Sequence, residues 1–330
     1  MAGLFRHRPS VAPWEGPGRV VTVWGPTGSP GRSTLAAALA GALAPDVRVV
    51  LVDADRTRGA LGPLLGVAGG GNVVSAATVP PPPGEPCRPR DLHAHRAGFW
   101  LIRGVPGPAQ EVALDPADLA GLLTRLRAHY DLVLVDVGTA LPPREFGDVH
   151  LAALRAADLV LAVGALTHTG LSDLTLQARV LAERLDMRGV DAGTGASAGA
   201  GSPVWCVLNK GHGSVLRSGP ARIATGTGLP VTMALPLDTR NVVAAEEARL
   251  PLTVARPRSP AAQLITGLAV HVGRALADIL TRGDDGRADG AGPENPRRLS
   301  GEMGSGAGAS GDCPEVAAVP YEERRRPGEL

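Results

Sequence analysis

The sequence predicts an α/β fold, a mostly parallel sheet with helices on both faces. Three observations carry that prediction. Short apolar runs alternate with helical stretches along most of the chain. The runs are almost continuously apolar, as in strands covered on both sides. A glycine-rich loop separates the first run from the first helical stretch, and in open α/β sheets such loops face a ligand crevice. Strand–helix alternation then implies right-handed crossovers between parallel strands.

Residues 19–24 (RVVTVW) form the first expected strand, 25–34 (GPTGSPGRST) the loop, and 35–43 (LAAALAGAL) the helix that continues from it. Further strands are expected at 47–52 (VRVVLV), 99–102 (FWLI), 132–135 (LVLV), 159–163 (LVLAV), 204–208 (VWCVL) and 231–235 (VTMAL). Helices are expected over 115–129, 144–157, 170–187, 239–249 and 259–282. In the last of these Leu264, Leu268, Val272, Leu276 and Ile279 recur at helical spacing, which reads as a core-facing stripe. The folded domain is expected to span 19–282. Residues 1–18 read as a flexible leader, 79–90 (VPPPPGEPCRPR) as a proline-rich loop, 191–202 (DAGTGASAGAGS) as a flexible insert and 283–330 as a disordered tail.

Composition narrows the function. Hydrophobic residues make up 44% of the chain but aromatics only 3%, so the core is built from Ala, Val and Leu. A net charge of +1 gives no global support for binding nucleic acid or an anionic membrane. Lys210 is the only lysine among arginines, a usage that fits G+C-rich coding. Cys87, Cys206 and Cys313 stand far apart without CxxC spacing, which argues against a disulfide framework or a structural zinc site and fits a reducing cytoplasm. The first residues carry no apolar run of signal-peptide type, and no stretch approaches a membrane span. His93, His95 and Cys87 lack metal-ligand spacing, and the G-x-S-x-G match at 195–199 lacks the strand and helix that motif needs.

The loop has companions. The strand at 47–52 ends in Asp53-Ala54-Asp55 and that at 132–135 ends in Asp136. In a parallel sheet these carboxylates and the loop share one crevice. A phosphate cradle beside carboxylates is how proteins hold Mg²⁺ with a nucleotide. Ser33 is the hydroxyl expected on Mg²⁺, Thr34 the one near the α-phosphate, and Asp136 the holder of the ion's water shell. The alternative is that these acids only cap turns and helices.

The segments WGPTGSPGRST, LVDADRTRGALGPLLG, LVLVDVG, VLNKG and PLDTRNVVAAEEARLPLTVARPRSPAAQ resemble the MinD/ParA group of deviant P-loop ATPases, over about residues 19–282. The GPTG-x-PGR-[ST]-T form is similar to its CpaE-like, septum-site-determining branch. The resemblance implies a cytoplasmic protein that binds ATP and Mg²⁺ and acts in spatial organisation: division-site selection, partitioning, or placement of pilus or secretion machinery. It implies a nucleotide-dependent homodimer whose ATP state engages a partner. It also assigns residues. Gly28, Gly31, Ser33 and Thr34 match the nucleotide loop, within which Ser29, Pro30 and Arg32 are also expected to bind the nucleotide; Asp53 matches a carboxylate near Mg²⁺, Asp55 the acid that positions attacking water, and Asp136 the Walker B aspartate. Asn209 matches the residue whose amide reads adenine, although Asn there is equally a turn former.

Two positions depart from the family. Its signature lysine aligns with Thr27 and its cradle lysine with Arg32. Arginine keeps the charge but is bulkier and forked. Thr27 carries none, and charge on the transferring phosphoryl group is a leading catalytic factor. Nucleotide binding with slow or partner-dependent hydrolysis is therefore expected. MinD is anchored by a short amphipathic C-terminal helix, and 283–330 contains no such basic stretch, so no direct membrane anchor is evident. Net charge gives no support for DNA binding, which would need a local arginine patch. Two rivals remain. One is a scaffold of the same fold with an inactive or empty site. The other is an NAD(P)-dependent oxidoreductase, suggested by Gly25, Gly28 and Gly31 with Asp53 downstream, although the spacing G-x-x-G-x-x-G is not the dinucleotide fingerprint.

Overall fold

The computed structural model describes residues 16–55, 59–105, 114–137, 147–184, 203–212 and 231–285. The leader before residue 16, the insert at 191–202 and the tail beyond 285 lie outside the described residues, as does the 195–199 motif.

The strands are β1 (Arg19–Trp24), β2 (Val49–Asp53), β3 (His93–Ala94), β4 (Trp100–Ile102), β5 (Leu132–Asp136), β6 (Leu159–Ala165), β7 (Val204–Gly211) and β8 (Val231–Pro236). They form one eight-stranded sheet in the order β3-β4-β2-β5-β1-β6-β7-β8. Every pairing is parallel except β3 with β4. The apolar runs became strands because both faces are covered. Val20, Val50, Val133, Val135 and Val160 face one core, and Val21, Val23, Leu51, Leu134 and Leu161 face the other.

The helices are α1 (Arg32–Leu43), α2 (Leu61–Leu65), α3 (Val73–Thr78), α4 (Pro116–Arg127), α5 (Gly147–Ala156), α6 (His168–Arg184), α7 (Thr239–Glu247), α8 (Leu252–Ala255) and α9 (Pro260–Asp285). Local signals explain their starts. Asp115 caps α4 by accepting from the Ala117 N–H at 2.8 Å, Pro116 opens it, and Arg125 and Arg127 sit in its last turn. Asn72 and Ser75 form a reciprocal capping box on α3. The proline-rich loop is tied down by α4: Arg125 Nε donates to the Pro86 carbonyl at 3.0 Å, and Cys87 is buried.

In α9 the expected stripe is buried at Leu268, Val272 and Leu276 and fails at Leu264, while the Ile279 side chain lies outside the described residues. Leu264 is 38% exposed, whereas Ala261, Ala262, Ile265, Leu268, Ala269, Val272 and Leu276 are buried. A row spaced strictly by four residues advances by about 40° per step around a helix of 3.6 residues per turn, so it drifts off the buried face. Among the described residues, no helix is long and apolar enough to cross a membrane.

Candidate functional site

The loop leaves β1 beside β5 and β6 and enters α1 directly. Gly25 is required by close packing: a Cβ there would lie 2.1 Å from the Val163 carbonyl oxygen. Gly28, Ser29 and Gly31 have φ of 88°, 52° and 97°, in the left-handed region. Successive turns of this kind point backbone N–H groups into one concavity. Helix α1 starts at Gly31 with no side-chain cap and no acidic residue in its first turn. Its first N–H groups are therefore free of a side-chain acceptor and carry the positive end of the helix dipole. A Cβ on Gly28 would meet nothing within 4 Å, so the loop is open there. Ser33 and Thr34 lie in that first turn, half-buried, and Thr27 is exposed.

Arg32 is the residue whose placement the sequence could not give. Its side chain is buried, and one terminal nitrogen donates to the Gly25 carbonyl at 3.0 Å and also to the Pro26 carbonyl. The guanidinium thus braces the start of its own loop. Burial pulls it below its ordinary pKa, and the nearby charges of Asp136 and Asp55 oppose that shift. Its Nε is buried without a hydrogen-bond partner among the described residues.

The carboxylates meet as the strand ends predicted. Asp53 and Asp136 are paired in register at the ends of β2 and β5, and both are fully buried. Asp53 accepts from the Leu61 N–H at 2.9 Å and the Asp55 N–H at 3.3 Å. Burial, with the adjacent Asp136 charge, pushes the Asp53 carboxyl well above the usual carboxylate range. Asp55 is half-buried beside them.

On the far side of the loop, the Asn209 amide donates to the Pro30 carbonyl at 2.9 Å. A Cβ on Gly31 would come within 2.3 Å of that amide nitrogen. The Lys210 ammonium donates to the Ser29 carbonyl at 2.7 Å. Sequence reasoning gave Lys210 no role, although its being the sole lysine was a usable signal. It also missed Gly59 and Gly104, which wall Asp53: a Cβ on Gly104 would lie 2.7 Å from Asp53 Oδ1. His95, considered earlier as a ligand, instead stacks on Phe99 at 4.8 Å between ring centroids.

The donor set suits a nucleotide with Mg²⁺. Among the described residues no group of three or more His, Cys, Asp or Glu side chains is arranged to hold a metal. An ion here would take one or two protein oxygens and draw the rest from phosphate and water, which is how Mg²⁺ is usually bound. The uncapped start of α1, the open glycine turn and the partnerless Arg32 Nε offer donors to an anion. The neighbouring acids offer charge to a cation.

No protein-family model matches the chain, and no curated protein matches it in sequence. Solved structures do match it. A ParA family ATPase from Chlorobium tepidum is 19% identical with a TM-score of 0.63, covering 77% of this chain and 99% of that one. The septum site-determining protein MinD from Pyrococcus horikoshii, complexed with Mg-ADP, is 20% identical with a TM-score of 0.62, covering 79% and 98%. MinD in the MinC:MinD cell division complex of Aquifex aeolicus is 18% identical with a TM-score of 0.59, covering 77% and 95%. The mostly parallel eight-stranded sheet is the P-loop NTPase fold of MinD and ParA proteins.

Proposed function

We propose that this chain is a MinD/ParA-like nucleotide-binding protein that holds ATP and Mg²⁺ at the 25–34 loop. On this reading it acts in spatial organisation, in septum-site selection, partitioning or the positioning of a pilus or secretion apparatus, as in the CpaE-like branch. The observation that carries the reading is the uncapped N-terminus of α1, entered through left-handed turns and set beside the registered pair Asp53–Asp136. The fold shared with a MinD bound to Mg-ADP supports it.

The residues divide the work. N–H groups of the loop and of the first turn of α1 hold phosphate oxygens. Ser33, Asp53 and Asp136 hold the ion and its waters. Asp55 orients the attacking water, and Asn209, which gives one amide N–H to the Pro30 carbonyl, has the other to offer the base. The bound Mg²⁺ would offset phosphate charge where Thr27 offers none. Arg32 is engaged with its own loop, and this supports slow or partner-dependent hydrolysis. A nucleotide-dependent homodimer and a protein partner follow from the same analogy, as MinC accompanies MinD in the Aquifex complex.

A second reading is an inactive scaffold. It is favoured by the Arg32 brace together with the missing charge at Thr27. Calorimetric titration with Mg-ATP, ADP and NADH separates the possibilities. Heat with adenine nucleotide and none with NADH supports the proposal, and the reverse overturns it. Steady-state hydrolysis that is measurable, and is lost in Asp55→Ala, supports a working ATPase. Binding without any turnover, with or without candidate partners, supports the scaffold.

A further inference from the structure

The end of β7 reaches the phosphate loop at two adjacent points, and both fall on carbonyls of the loop's outer edge. Asn209 holds Pro30 at 2.9 Å and Lys210 holds Ser29 at 2.7 Å, across 181 residues of sequence in the second case. The two residues are also tied to each other, because Asn209 Oδ1 accepts from the Lys210 backbone N–H at 2.8 Å. The Asn209 carbonyl in turn accepts from Leu166 N–H at 2.7 Å, which fixes this strand end to the end of β6.

Both ends of the Lys210–Ser29 bond are strained. Among the described residues only three non-glycine residues have positive φ: Ser29 at 52°, Lys210 at 63° and Arg249 at 53°. Two of the three are the partners in this one hydrogen bond. A side-chain-bearing residue in the left-handed region persists only where its surroundings over-determine it, and such strain clusters at functional sites. Pro30, which follows Ser29, has no N–H to donate, so its carbonyl and that of Ser29 are the loop's available handles at this edge.

We infer that Lys210, with Asn209, is a positioning residue that braces the phosphate loop from β7 and holds Ser29 in the turn that converges the loop's N–H groups. The inference rests on the nucleotide reading of the site but adds a residue to it. The chain has a single lysine, and none lies in the 25–34 loop. Its sole lysine instead delivers an ammonium to the loop from another strand, as a tether on the backbone. Arg32 braces the inner end of the loop through Gly25 and Pro26, and Lys210 braces the outer end through Ser29.

The test uses the full chain with Lys210→Met, Lys210→Arg, Ser29→Gly and the double variant Ser29→Gly/Lys210→Met. Melting temperatures confirm that each is folded. Hydrogen exchange of the Thr27–Gly31 amides is measured without nucleotide, and Mg-ATP affinity by calorimetry. Lys210→Met is expected to speed loop exchange and weaken Mg-ATP about tenfold, the change that corresponds to one charge-assisted hydrogen bond. Lys210→Arg keeps a donor and should recover part of both. Glycine adopts the left-handed turn freely, so Ser29→Gly should make the loop less dependent on Lys210, and adding Lys210→Met to it should cost about threefold or less. Unchanged exchange and affinity in Lys210→Met, or a full tenfold loss in the Ser29→Gly background, overturns the inference. A wild-type protein that binds no nucleotide, yet whose loop exchange responds to Lys210→Met, supports the brace and overturns the nucleotide reading instead.

Discussion

Arg32 offers the sharpest quantitative test, because the structure gives it work before any nucleotide arrives. Its buried guanidinium satisfies the carbonyls of Gly25 and Pro26 and lies within the field of Asp136 and Asp55. Arg32→Ala removes all of this. Hydrogen bonds to a charged group are each worth about 1.5–3 kcal/mol. Removing one partner from a buried charged cluster typically costs about 3–5 kcal/mol. The two figures describe the same loss and are not summed, so the expected destabilisation is about 3–5 kcal/mol. Arg32→Lys keeps the charge but loses the planar, pre-organised fork that aims its donors at the two carbonyls, and about half that loss is expected. The assay is equilibrium unfolding in urea, without nucleotide, followed by two probes whose transitions should coincide. A guanidinium reserved for phosphate would contribute nothing to the empty protein. An Arg32→Ala loss under about 1 kcal/mol, the range of an exposed ion pair, would therefore refute the brace.

Three further outcomes follow from the geometry. The Asp53 carboxyl has its folded pKa raised by burial and by Asp136, so its contribution to stability is present below its unfolded value of 3.8 and is lost as pH rises through the folded value. Asp53→Asn should thus gain stability relative to wild type as pH rises from 4 to 8 without metal, read as the difference in melting temperature. His95 has the opposite linkage: burial lowers its pKa from 6.5, so its contribution is present above that value and is lost as pH falls through the folded one. His95→Phe should flatten the loss of stability between about pH 7 and pH 5, measured by urea titration. Gly31→Ala places a Cβ 2.3 Å from the Asn209 amide at φ 97°, and should lower stability by about 1–3 kcal/mol while breaking the Asn209–Pro30 bond.

Much of this architecture was written in periodicity. Strands β1, β5, β6, β7 and β8 begin at the residues that open their apolar runs, and in β5 and β6 nearly every position is buried. The short helices α2, α3 and α8 were not legible, since four to six residues give less than two turns of pattern. The two-residue strand β3 exists only through its pairing with β4, a tertiary fact without a local signal. The site divides in the same way. The positions of Asp53 and Asp136 followed from strand ends in a parallel sheet. The inward turn of Arg32 did not, because a sequence gives the charge of a side chain but not its rotamer. Lys210 was visible as the sole lysine, yet its reach to Ser29 depends on strand order, with β6 and β7 flanking β1 on the side away from β5.

These placements make one electrostatic argument. Asp53, Asp55 and Asp136 gather at the crevice, and Arg32, a buried cation in the field of Asp136 and Asp55, gives one terminal nitrogen to backbone carbonyls while its Nε has no partner among the described residues. The loop's N–H groups and the α1 terminus add the equivalent of about half a positive charge to those of Arg32 and Lys210. Against a triphosphate together with Asp55 and Asp136, positive charge is still short. On the proposed reading the divalent ion is therefore part of what makes the site attractive to the nucleotide at all. On the same reading the braces from Arg32 and Lys210 matter because they keep the loop's N–H groups aligned for the phosphates.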